Sequence, residues 1–187
     1  VAYAGGAGGD GRIAIYSTAD SLTTDPAATF SVATTPPLDF GTDDFSVALW
    51  FKKEGTSSAI EYLVTNYSTA GYKVYLDASG NVCFGIDDDS TWGPDDSACT
   101  SNDFDDSAWH HVVAVKHGTT KIEVFVDGKS LASDSSLAAT STLTSDASSF
   151  LGIDSDGSSN GFIGYMDEFK TFDYALSSSV VIEDFNG

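Results

Sequence analysis

The residues able to do chemistry in this sequence are overwhelmingly carboxylates, accompanied by a few exposed-looking aromatics. The densest ligand-like run is Asp154-Ser155-Asp156-Gly157-Ser158-Ser159-Asn160. Its alternating acids resemble the start of an EF-hand loop, but the distal Glu that completes such a loop is missing. Asp154 and Asp156 are still candidate oxygen ligands for a hard cation such as calcium. A second run, Asp87-Asp88-Asp89, gathers three like charges, which is costly unless an ion neutralises them. It continues through Ser90 and Thr91 to Trp92, then Gly93-Pro94-Asp95-Asp96, with no apolar periodicity. An indole among carboxylates suits a sugar, whose apolar face stacks on the ring while the acids accept from its hydroxyls. Trp92, Asp88 and Asp89 are therefore expected to bind ligand, with Tyr67 and Tyr72 beside the neighbouring loop. The other reading of Trp92 is a lid folded back over the protein.

Other constellations yield less. Retaining glycosidases need two carboxyl groups about 5 Å apart. The nearest pattern, Glu123-Val124-Phe125-Val126-Asp127, ends in an Asp-Gly turn with no further acid at the right spacing. No nucleophile–base arrangement is evident, so no catalytic residue and no enzymatic activity are expected. Adjacent residues on a strand point to opposite faces, so His110 and His111 cannot chelate one ion together. Cys83 and Cys99 flank a polar loop and are candidates for a single disulfide. Asn66-Tyr67-Ser68 matches the glycosylation acceptor pattern, which arises often by chance.

The elements that must position these residues read as short strands. Runs with β-rich composition occupy residues 12–16, 28–32, 45–52, 59–65, 72–76, 82–86, 110–117, 121–126, 150–153 and 162–172, separated by Gly, Asp, Ser and Thr clusters. Phe45, Val47, Leu49 and Phe51 alternate onto one face. Trp50 and Trp109, in or next to apolar strands, are expected in the core. Hairpin turns are expected at 117–120 and 77–81. Residues 130–149 read as a strand-poor excursion, and 175–186 as a helical turn or two capped by Ser177 or Ser178. The fold class is all-β, an antiparallel two-sheet β-sandwich. Residues 1–10, small and Gly-rich, read as a flexible or partner-docking tail, and residues 11–187 as a single domain.

Composition limits the partners. The chain of 187 residues carries 28 acidic and 8 basic residues, a net charge of −20. Such a surface repels phosphate backbones and anionic lipids, so no nucleic acid is expected as a partner. No run is long and apolar enough to insert in a membrane.

Three segments resemble a known family. Leu38-Asp39-Phe40-Gly41 through Asp44-Phe45-Ser46-Val47-Ala48-Leu49-Trp50-Phe51-Lys52 is similar to the opening strand of laminin-G-like jelly rolls of the concanavalin-A-like lectin and glucanase superfamily. Trp109-His110-His111-Val112-Val113-Ala114-Val115 followed by Val124-Phe125-Val126-Asp127-Gly128 resembles its central hairpin, and Gly164-Tyr165-Met166-Asp167-Glu168-Phe169 its closing strand. The resemblance implies a concanavalin-A-like jelly roll in which Trp-His-His belongs to the framework. It also implies a structural Ca2+ held by Asp167 with backbone carbonyls near the domain's start. The function it implies is an extracellular or cell-surface recognition and adhesion module, calcium-stabilised, binding a glycan or cell-surface polymer. The alternative is a structural subunit of an extracellular filament, sheath or virion, self-associating through residues 1–9.

Overall fold

The computed structural model describes residues 30–32, 38–145 and 149–187, so the tail at 1–10 and the strand expected at 12–16 lie outside the described residues. In chain order the strands are β1 (Phe30–Val32), β2 (Phe45–Lys53), β3 (Glu61–Tyr67), β4 (Gly71–Leu76), β5 (Asn81–Asp87), β6 (Asp96–Asp103), β7 (His110–His117), β8 (Lys121–Val126), β9 (Lys129–Asp134), β10 (Ser149–Leu151) and β11 (Gly164–Phe172). One helix, α1 (Ser178–Asn186), follows. They form a six-stranded sheet in the order β1-β10-β3-β4-β5-β6 and a five-stranded sheet in the order β11-β2-β7-β8-β9. Neighbouring strands are antiparallel throughout both sheets.

The alternation in β2 explains the layering. Phe45, Val47, Leu49 and Phe51 point inward and pack with Val112, Ala114, Ile122 and Val124 of their own sheet. Opposite them are Val64, Tyr72, Val74, Leu76, Val82, Phe84 and Ile86 of the six-stranded sheet. All of these are at most 1% exposed, so the hydrophobic effect holds the two sheets together over their whole contact. Phe40 stacks on Phe45 at 4.5 Å, and Phe45 meets Tyr72 at 4.7 Å.

Two strands escaped the sequence reading. β6 carries no apolar alternation, because its inward positions are Asp96, Ala98 and Thr100, which have little apolar bulk. Asp96 is nevertheless satisfied, accepting from the backbone N–H of Ala138 and Ala139 at 2.9 and 2.7 Å. β9 falls in the stretch expected to be strand-poor. It is a polar edge strand, joined to β8 through Asp127 and Gly128, both with positive φ as a two-residue hairpin turn requires. Asn66, in the chance match to the glycosylation pattern, is buried, and its Nδ2 donates to the Leu38 carbonyl at 2.6 Å.

Helix α1, with Ser177 at its N-cap, lies on the outer face of the five-stranded sheet. Val181 and Leu176 pack there against Ala48, Val113, Val115, Phe125 and Phe172, closing a second, smaller core.

Candidate functional site

On the outer face of the six-stranded sheet, the loop carrying Trp92 folds back onto the strands. Its indole packs on Tyr62, Tyr75 and Cys83, and meets Tyr67 edge-on at 4.9 Å. The Lys73 ammonium sits 4.3 Å from the Trp92 ring centre, 4.6 Å from Tyr62 and 5.2 Å from Tyr67, while pairing with Asp154 at 2.6 Å. The close approach requires Gly85 below, where a Cβ would stand 3.3 Å from the Trp92 ring and 3.1 Å from Pro94. Cys83 and Cys99 face each other across β5 and β6 and are joined by a disulfide.

The loop's acids are mostly engaged in holding it. Asp87 accepts from the N–H groups of Asp89 and Gly93, and burial pushes it above its ordinary value despite those donors. Asp88 accepts from Ser141 N–H at 2.8 Å and Asp89 from Thr91 N–H at 2.8 Å. Tyr67 donates to the Asp89 carbonyl at 3.0 Å. Trp92 is half-buried, Asp88 partly exposed and Asp89 exposed, so these three keep some access to solvent. Tyr72 does not: the expectation that it binds ligand is corrected. It is 0% exposed in the inter-sheet core, with its hydroxyl directed to the Leu38 carbonyl at 3.3 Å, and burial raises its phenol far above the usual range.

The expected calcium ligands do not converge. Asp154, tied to Lys73, lies over the outer face of the six-stranded sheet, whereas Asp167 is on β11 of the other sheet, so the two cannot share an ion. Asp154 already has an ammonium as counter-charge, which leaves it poorly suited to a dication. Asp156 accepts from Ser158 N–H, Ser159 N–H and Ser159 Oγ, donors that hold its carboxyl down at about 2. Asp167 Oδ1 accepts from Glu168 N–H at 2.8 Å. The carbonyls that the resemblance would pair with Asp167 lie near the domain's start, outside the described residues. Among the described residues no three His, Cys, Asp or Glu side chains gather as a metal site.

Histidine placement follows the strand. His110 points inward, with Nδ1 2.9 Å from Asp127 and Nε2 3.1 Å from Asp106, and its ring meets Phe104 at 4.9 Å. His111 points outward and lies 3.2 Å from Asp184 of α1. Glu123 is held by Lys121 at 2.6 Å and by Ser130, while Asp127 serves His110 and the His111 N–H. Both acids of the glycosidase-like pattern thus have structural partners.

The feature that sequence reasoning missed lies on the outer face of the five-stranded sheet, beyond the end of α1. Trp50, Trp109, Asp167 and Glu168 line an open, shallow depression of about 310 Å³. Trp109 is 45% exposed. Trp50 is half-buried, braced by Phe185 of α1 at 5.7 Å and by His111 at 5.1 Å. Both indoles were expected in the core; the structure corrects this. The signal was present in the sequence, because Trp50 stands between Leu49 and Phe51 and must take the face opposite to theirs.

The two carboxylates reach the depression through a backbone irregularity. Asp167 pairs with Trp50 and Lys170 with Ala48, so Glu168 and Phe169 of β11 stand against Leu49 alone and β11 carries one residue more than β2 there. Glu168 adopts φ +50 within the bulge. On a regular strand Asp167 and Glu168 would face opposite ways; the bulge brings both to the depression, after which Phe169 returns to the core. Lys170 pairs with Asp184 at 2.7 Å and Glu168 at 3.1 Å, tying the bulge to the helix. An exposed indole, a second braced indole and two carboxylate acceptors suit a pyranose ring, which offers an apolar C–H face and flanking hydroxyl donors.

A family model described as the concanavalin A-like lectin/glucanases superfamily matches residues 26–181. No curated protein matches the sequence. Among solved structures the chain is similar to the binding domain of Paraclostridial Mosquitocidal Protein 1, with a TM-score of 0.68 and 18% identity, covering 84% of this chain and 40% of that one. It is similar to the botulinum neurotoxin serotype C1 binding domain, with a TM-score of 0.62 and 14% identity over 77% of this chain and 36% of that one. A botulinum neurotoxin type C structure, from a toxin whose cell entry depends on interaction with two ganglioside molecules, gives a TM-score of 0.61 and 13% identity over 77% of this chain and 35% of that one. This chain therefore spans less than half the length of those proteins, and at these identities the likeness is one of fold.

Proposed function

The chain belongs to the concanavalin A-like lectin/glucanase superfamily, and from that membership we propose that it is a non-catalytic recognition module that binds a glycan or other surface polymer outside the cell. The observation carrying this reading is the depression in which Trp50, Trp109, Asp167 and Glu168 meet. Trp109 is 45% exposed beside Trp50, which is braced by His111 and Phe185, and an exposed indole face is what a sugar ring stacks on. Similarity of fold to binding domains, one from a toxin that engages gangliosides, agrees with recognition as the role. The Cys83–Cys99 disulfide supports an extracellular or cell-surface setting, because disulfides persist in oxidising compartments. The loop of Trp92, Asp88 and Asp89, on the outer face of the six-stranded sheet over the buried Tyr67, is the second place a ligand would settle. Calcium at Asp167 is part of the proposal on the strength of the family resemblance.

A glycan array and a cell-surface pull-down, run on the native chain and on Trp109→Ala and Trp92→Ala, test this. Binding lost with Trp109→Ala and kept with Trp92→Ala is the expected result. The reverse pattern moves the site to the Trp92 loop, and no binding by the folded native chain refutes glycan recognition.

A further inference from the structure

We propose that the depression between Trp50 and Trp109 is one end of a longer platform for a linear oligosaccharide, with a second subsite at Tyr165, Lys52 and Ile163. The inference rests on the reading of that depression as a saccharide site. It specifies the form of the ligand, a chain of several sugar units rather than a single terminal sugar.

Strand register carries the argument. Asp167 pairs with Trp50 and Tyr165 with Lys52, and paired residues share a face, so all four side chains stand on the outer side of the five-stranded sheet. Trp109 directly precedes β7, whose His110 pairs with Phe51, which sets Trp109 next to Lys52 on the side away from Tyr165. The ring centres of Trp109 and Tyr165 are 6.4 Å apart, so the aromatic surface of the depression continues onto β11. The Ile163 carbonyl accepts from Glu54 N–H at 3.0 Å. Two residues before Tyr165, Ile163 takes the same face, and it is 61% exposed. From Asp167 to Ile163 the face therefore runs for about 13 Å, at about 3.3 Å per residue. Phe185 of α1 backs Trp50 at one end, whereas the exposure of Ile163 leaves the other end open. A pocket for a terminal sugar closes beyond that sugar; a face open at one end lets a chain continue.

The second stretch offers hydrogen-bonding groups as well as a ring. Tyr165 is half-buried, and its hydroxyl is hydrogen-bonded to Glu54, which restrains the ring. The Lys52 ammonium lies 5.9 Å from the Tyr165 ring centre. Unlike Lys53, Lys73, Lys121 and Lys170, it has no carboxylate partner among the described residues, which leaves it able to donate to a sugar oxygen while the sugar's C–H face stacks on Tyr165. Neither Lys52 nor Tyr165 belongs to the groups expected to hold calcium, so this subsite is the same whether or not Asp167 carries an ion.

Isothermal titration in millimolar calcium with linear oligosaccharides of glucose, xylose, mannose and galactose, one to six units long, tests this. For the sugar that binds, affinity is expected to rise about tenfold from one unit to three, the effect of one further aromatic contact. Tyr165→Ala should abolish the rise while leaving the single unit unaffected, Tyr165→Phe should retain it, and Lys52→Met should reduce it. Trp109→Ala should weaken every length. Equal affinity at all lengths, still dependent on Trp109, means that a terminal sugar is held, and overturns the platform while leaving the saccharide site standing. A rise that survives both Tyr165→Ala and Lys52→Met overturns the second subsite. Failure of every probe to show Trp109-dependent binding removes the saccharide reading itself.

Discussion

Asp184 shows how a single carboxylate couples the helix to the sheet behind the depression. It lies 3.2 Å from His111 Nε2 and 2.7 Å from Lys170 Nζ, with its side chain 13% exposed. Donation from His111, and then from Lys170, holds its carboxyl down at about 2 against an ordinary 3.8. A carboxyl depressed in the folded state contributes stability that is fully present above the unfolded value and lost as pH falls toward the folded one. The contribution is about 2 kcal/mol, lost between roughly pH 4 and pH 2. Acid unfolding of Asp184→Asn, followed by circular dichroism, should show lower stability at neutral pH and a shallower fall through that window. An unchanged acid limb would mean that the contact contributes little. At this scale the sequence was legible for types and blind to directions. Asp167 and Trp92 stand out by type, whereas Tyr72 lies on the inward face of β4 with Val74 and Leu76, a direction its flanking loop does not signal. Trp50 has apolar neighbours in sequence, but the two-residue period turns it to the face opposite Leu49 and Phe51.

Strands and their irregularities decide where those directions point. The bulge in β11 cannot be read from Gly164-Tyr165-Met166-Asp167-Glu168-Phe169, since no glycine or proline marks it; a non-glycine residue at φ +50 is set by pairing with β2 and by the Lys170 tie to α1. The long apolar strands were legible because they are dense in β-branched and other apolar residues, as in His110–His117 and Lys121–Val126, whose bounds agree with the sequence reading. Polar strands such as β6 were not, because Asp96 and Thr100 take inward positions through hydrogen bonds, which leave no hydrophobic pattern. β6 lies at a sheet edge and owes part of its attachment to the Cys83–Cys99 bond, which closes a sequence separation of 16 residues. Replacing both cysteines by alanine should cost about 3 kcal/mol on the chain-entropy account, read as a lower urea midpoint. No change in midpoint would show that the ladder with β5 holds the edge alone.

Charge is the property of the molecule as a whole. With 28 acidic and 8 basic residues, repulsion across the surface opposes the compact state, and added sodium chloride should raise the melting temperature by screening it. Calcium is expected to act on top of this. At constant ionic strength, millimolar calcium should raise the melting temperature of the native chain and not of Asp167→Asn; an equal rise in both would assign the effect to diffuse binding. Neither effect disturbs the fold, whose two sheets are held by uncharged contacts in the core. The central claim is that this sandwich recognises a saccharide through the face carrying Trp50 and Trp109. Its most direct test is a titration of the chain with the glycan that binds best on an array, comparing the native protein with Trp109→Ala. Truncating a 45% exposed ring should leave the melting temperature nearly unchanged, while affinity falls by tenfold or more, since stacking on an aromatic ring contributes about 1.5 kcal/mol. Unaltered affinity in a fully folded Trp109→Ala protein would contradict the claim.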